Sequence, residues 1–143
     1  MFDQKNNRTA RFPMALVLAA GLGGSAMASD LPPLSEDDYI NSQLFAGAVS
    51  TAVGEFCPTM TLRKVKAGLA ALSLFNHARG LGYSRTEIEN YVNDPANKKI
   101  LADQLRAHLE ARGVAEDDPE SFCVVGREEI ANNTVAGSLL RGQ

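Results

Sequence analysis

From Tyr39 onward, apolar side chains return at three- and four-residue intervals: Tyr39, Ile40, Leu44, Phe45, Ala48, Val49, Ala52, Val53 and Phe56. That spacing predicts one helix with a continuous apolar stripe, running to about Phe56. Ser35 stands where an N-cap belongs, and Glu36, Asp37 and Asp38 suit the positive end of the helix dipole. Gly47 and Gly54 lie seven residues apart on nearly one face, where they either admit a neighbouring helix closely or simply cost stability. Cys57-Pro58 ends this segment. A second helix is expected to open at Thr59 or Thr61 and to bury Leu62, Val65, Leu69, Leu72 and Phe75/Asn76, with Gly80-Leu81-Gly82 supplying the glycines that helix C-termini favour.

Ser84-Arg85-Thr86-Glu87 reads as a capping box that opens a short helix carrying Ile88, Tyr91 and Val92. Asp94-Pro95 stops it and starts another, with Asp94 as cap and Pro95 in the first helical position. Ile100, Leu101, Leu105 and Leu109 form the inward face of that fourth helix, and Gly113 closes it. Asp118-Pro119 repeats the same grammar before a last helix carrying Phe122, Cys123, Val125, Ile130 and Val135. Gly126 and Asn132-Asn133 weaken this helix, and Leu139-Leu140 reads as a final turn or a frayed tail. No stretch alternates as a strand does, and no repeat is visible. The fold class expected is all-α, a compact bundle of about five helices. Residues 35–143 would form its single domain, preceded by an extended leader at 29–34 in which Pro32 and Pro33 reject helix.

The N-terminus has its own pattern. Lys5, Arg8 and Arg11 precede a short apolar run, Met14 to Leu22, followed by Gly23-Gly24-Ser25 and the small-residue sequence Ala26-Met27-Ala28. This reads as a cleavable signal peptide over residues 1–28, cut after Ala28 and exported by the general secretory route. The run is shorter than the roughly 20 residues of a bilayer span, so no stable membrane anchor is expected. The mature protein is expected to be periplasmic or secreted. In such an oxidising compartment an even number of cysteines pairs, and the two present allow one bridge, Cys57–Cys123. It would close a loop of 66 residues, which the chain-entropy treatment values at about 4 kcal/mol. The helical bundle is thus closed by one disulfide.

Charge narrows the functional classes. The whole chain carries −3, but without its basic leader 11 basic residues face 16 acidic ones, a charge of −5. Arg63, Lys64 and Lys66 are the only local basic group, so a nucleic-acid ligand is not expected. Reactive constellations are also missing from the sequence. His77 and His108 lack the spacing of a metal site. No serine sits in a nucleophile elbow, and the redox-active Cys-x-x-Cys spacing is absent. The acidic pairs Asp37/Asp38, Glu87/Glu89, Asp117/Asp118 and Glu128/Glu129 fall mostly in first turns, where the helix dipole accounts for them. The aromatic residues fall mainly on the apolar stripes and are expected in the core. Tyr83, just before the capping box, is expected to act as a hydrophobic staple on Ile88. No catalytic, cofactor-binding or metal-binding residue is assigned; no cofactor is expected.

Phe56-Cys57, the segment Leu81-Gly82-Tyr83-Ser84 with Glu87-Ile88 and Tyr91-Val92, and Pro119-Glu120-Ser121-Phe122-Cys123 with Gly126-Arg127-Glu128-Glu129-Ile130 occur together. In this the chain resembles an uncharacterised family of small exported alphaproteobacterial proteins, a domain of unknown function, over roughly residues 35–140. The resemblance implies the same helical, exported architecture and brings no catalytic residues. A looser likeness is to small disulfide-closed acid-stress chaperones of the periplasm, which place a Cys beside a Trp-Thr pair; this chain has no Trp. The function expected is therefore a non-enzymatic periplasmic binding or accessory protein, an inhibitor- or immunity-like partner of another envelope protein. The alternatives are a pH-gated chaperone, drawing on the 16 carboxylates, and a small hydrolase using a carboxylate such as Glu55.

Overall fold

The computed structural model describes residues 31–143; the proposed signal peptide lies outside them, as do the first two residues of the leader. Leu31 to Pro33 run extended into a single 3-10 turn at Leu34–Glu36. Five helices of nine or more residues follow: α1 (Asp38–Phe56), α2 (Lys64–Gly80), α3 (Arg85–Asn93), α4 (Pro95–Ala111) and α5 (Pro119–Ala131). A last turn of helix, α6, covers Val135–Ser138. Two short strands, β1 (Met60–Leu62) and β2 (Leu140–Gly142), complete the chain. The fold is all-α apart from this ribbon, and the Cys57–Cys123 disulfide is present.

Most helix starts are where the side chains dictate. Ser84 accepts from the Glu87 N–H while the Glu87 carboxylate accepts from the Ser84 N–H, a complete capping box. Asp94 accepts from Asn97 N and Asp118 from Glu120 N, each followed by proline. The first helix is also capped by a side chain, but not by the residue expected. Its cap is Asp37, which accepts from Ile40 N at 2.8 Å, not Ser35. Ser35 is taken up in the 3-10 turn, whose Leu34 and Ser35 carbonyls accept from the Asn41 amide. Ser84→Ala removes one half of the box on a helix of only nine residues. The expected loss is about 1 kcal/mol of stability, concentrated as faster amide exchange in α3. Unchanged exchange there would show that packing alone holds α3.

Three expectations need correction. The segment after Pro58 is a strand, not a helix start: β1 pairs antiparallel with β2, with Met60 opposite Gly142 and Leu62 opposite Leu140. Leu139 and Leu140, read as a turn or frayed tail, are buried for this reason. The second helix opens only at Lys64, with no side-chain cap, because the ribbon fixes it: Arg63 N donates to Leu139 O at 2.8 Å. The last helix is two pieces, since Asn133 adopts a positive φ of 53° and Thr134 recaps the chain at α6.

Two clusters of buried side chains sit at opposite ends of α1. One surrounds the disulfide and gathers Ala52, Val53, Met60, Leu109, Phe122, Val125 and Leu140 from five elements. The other joins Leu34, Ile40, Ala78, Tyr83 and Ile88 at the meeting of the leader, α1, α2 and α3. Tyr83 does pack with Ile88 there, and its hydroxyl also donates to Pro32 O at 2.6 Å, pinning the leader. The two glycines of α1 play different parts. A Cβ at Gly54 would meet Leu62 N at 2.8 Å, so that glycine admits β1. Around Gly47 there is open space.

Candidate functional site

The two most exposed large apolar side chains of the described residues, Val65 and Leu69, lie on α2. Val65, Leu69 and Leu72, expected to face inward, are 81, 63 and 55 % exposed. The helix docks instead through its opposite edge, where Ala67, Ala70, Leu74 and Phe75 are half-buried and Ala78 is buried. Both edges are apolar, so periodicity alone points to the one with larger side chains. Anchorage at the two ends decides otherwise. The ribbon holds the N-terminus through Arg63, and Ala78 enters the cluster around Tyr83 at the C-terminus. Between this alanine edge and Gly47, Ser50 and Thr51 of α1 lies a cleft of about 240 Å³.

Positive charge surrounds the exposed stripe. Lys66 Nζ and Arg63 Nη1 both reach Ser138 O at the end of α6, at 2.9 and 3.4 Å, where the helix dipole favours cations. Arg79 Nη1 donates to Tyr83 O at 2.9 Å. Arg85 lies over the Phe75 ring and pairs with Glu89 at 3.1 Å. From residue 56 to residue 86 the sequence holds these cations and Lys64 but no Asp or Glu. The sequence shows that gap, but the stripe it belongs to becomes visible only once α2 is docked.

Other expected core residues also reach solvent. Tyr39, Phe56 and Ile100 are each more than half exposed. Phe56 stacks obliquely on Phe122 with ring centroids 5.0 Å apart, beside a largely apolar cleft of about 500 Å³ between α1, α4 and α5. Arg106, Glu110 and Glu116 stand among its lining residues. A second cleft, about 330 Å³, contains Asn41 and Tyr91, whose hydroxyl donates to Asn41 Oδ1 at 2.5 Å. Burial raises the Tyr91 pKa above its ordinary value, against the opposing effect of that hydrogen bond.

The histidines are not brought together as a pair: His77 packs on the Tyr39 ring, and His108 meets Phe45 edge-on at 5.2 Å. Among the described residues no group of three or more His, Cys, Asp or Glu is placed to hold a metal ion. Glu55 lies exposed near the end of α1. What sequence reading missed is a charged cluster between α4 and α5. Glu129 is 7 % exposed; it accepts from Arg112 Nη1 and from the Thr134 hydroxyl, with His108 Nε2 at 3.9 Å. Arg112 Nη2 also pairs with the exposed Glu128 at 2.5 Å. Partial burial works against the guanidinium's charge, but the hydrogen bonds and negative charges of Glu128 and Glu129 outweigh it and hold the Arg112 pKa above its usual value. The adjacent pair Glu128/Glu129 thus splits between two faces of α5, one outside and one inside.

A disulfide-closed helical domain that displays an apolar, cation-flanked helix defines the class. The chain belongs to the family of unknown function DUF5333, whose profile matches residues 32–141. No curated protein and no solved structure gave a significant match.

Proposed function

We propose that this chain is a non-enzymatic binding protein of the cell envelope that engages its partner through the outer face of α2. The observation carrying this reading is the exposed line of Val65, Leu69 and Leu72. A small monomeric domain rarely leaves three large apolar side chains in one contiguous row unless something covers them. The scaffold behind the row suits binding. A disulfide at one end of α1 and a buried cluster at the other leave little conformational freedom to lose on docking. The inhibitor- or immunity-like role expected from the sequence is one form of this activity.

A photo-crosslinking residue in place of Leu69, compared with one in place of Glu120 on α5, tests the reading in the producing cell. Leu69 is expected to give an adduct, with protein or with lipid, that Leu72→Asp abolishes, and Glu120 none. Equal labelling at both sites would dismiss α2 as the contact face.

A further inference from the structure

The charge around the stripe narrows what covers it. We propose that α2 seats on an anionic lipid surface, with Val65, Leu69 and Leu72 entering the boundary between headgroups and acyl chains while Arg63, Lys64, Lys66 and Arg79 meet lipid phosphates. This inference rests on the docking role given above to α2 and names its partner.

Three observations point the same way. The stripe occupies the outward face of the first half of α2, from Val65 to Leu72, on a helix of 17 residues about 25 Å long. A bilayer covers such a face without needing a complementary groove. Cations flank the stripe: Arg63, Lys64 and Lys66 at its start, Arg79 near the end of the helix, all exposed. No carboxylate interrupts them between Glu55 and Glu87. The remainder of the described chain has the opposite sign. Outside residues 56–86, residues 31–143 hold 6 basic residues (Lys98, Lys99, Arg106, Arg112, Arg127, Arg141) against 15 acidic ones. An anionic surface attracts α2 and repels the rest, which fixes the orientation of docking. A second copy of the chain is a poor occupant, because pairing α2 with α2 sets cations against cations. Among the described residues no helix is long and apolar enough to cross a membrane, so the contact is peripheral.

The chain contains no tryptophan, so a single Leu69→Trp substitution in the full chain gives a reporter free of background. Its emission is expected to move to shorter wavelength with vesicles of phosphatidylglycerol and phosphatidylcholine, and to stay unchanged with phosphatidylcholine alone. A Glu120→Trp control should not respond to either. Adding Lys64→Gln and Lys66→Gln should weaken the partition of the Leu69→Trp chain about 25-fold, roughly fivefold for each cation removed. Circular dichroism checks that each variant remains folded. An unshifted Leu69→Trp emission on anionic vesicles, or an equal shift at Glu120→Trp, overturns the lipid inference. A protein adduct at Leu69 in the crosslinking experiment, together with that unshifted emission, would overturn the lipid surface while leaving α2 as the docking face.

Discussion

Replacing Cys57 and Cys123 together by alanine is expected to lower the free energy of unfolding by about 4 kcal/mol. The bridge links the C-cap of α1 to the second turn of α5, 66 residues apart, and its two half-cystines are among the most buried residues of the larger cluster. Breaking it frees the unfolded chain far more than it alters the folded one. Changing both residues avoids leaving a lone thiol. Urea unfolding of the oxidised chain beside the double variant measures the effect. The midpoint should fall, and the slope should rise because the unfolded state is no longer held in a loop. Against a typical total of about 5–15 kcal/mol, such a loss brings the domain close to unfolding. A difference under about 1 kcal/mol would mean that the uncrosslinked chain keeps this loop compact even when denatured.

That bridge was legible because two cysteines allow only one pairing within the chain. The caps were legible for a similar reason. Ser84, Asp94 and Asp118 satisfy donors two or three residues away, so the interaction and its sequence signal share one short window. The features that escaped all depend on distant partners. Strands of three residues are too short to alternate visibly, and β1 exists only because β2 comes to it from 80 residues downstream. The orientation of α2 is the instructive failure. Its Val65-Leu69-Leu72 edge has the larger apolar surface, and burial by transfer free energy alone would turn it inward. Yet Arg63 N on Leu139 O and Ala78 under Tyr83 set the rotation of the helix from its two ends. The docking face proposed here is thus a position where local hydrophobicity and the observed packing disagree, as functional surfaces often are.

The Arg112–Glu129 cluster escaped for the same reason, since its members come from the end of α4, the end of α5 and the turn before α6. Glu129→Ala is expected to cost about 3 kcal/mol. It strips the partly buried guanidinium and the Thr134 hydroxyl of their acceptor, and the exposed remainder of Arg112 keeps the cost at the lower end for a broken buried pair. Glu128→Ala removes only a solvent-exposed partner of the same arginine and should cost less than about 1 kcal/mol. Unfolding curves of the two variants, measured side by side, give the contrast directly. The decisive variant replaces both charges, Arg112→Met with Glu129→Leu. If the cluster is a latch fastening α5 to α4, similar volume without charge should recover most of the stability lost in Glu129→Ala, because the unpaired group and not the missing attraction is what destabilises. Failure to recover would instead show that Thr134 depends on the carboxylate. Its hydroxyl donates to Glu129 and also accepts from Gly137 N, capping α6. The backbone of α6 lies so close to the Glu129 carbonyl that a Cβ at Gly137 has no room. A shift there would reach β2, and through Leu139 O it would reach the N-terminus of α2. In that case the buried carboxylate positions the helix that carries the exposed stripe.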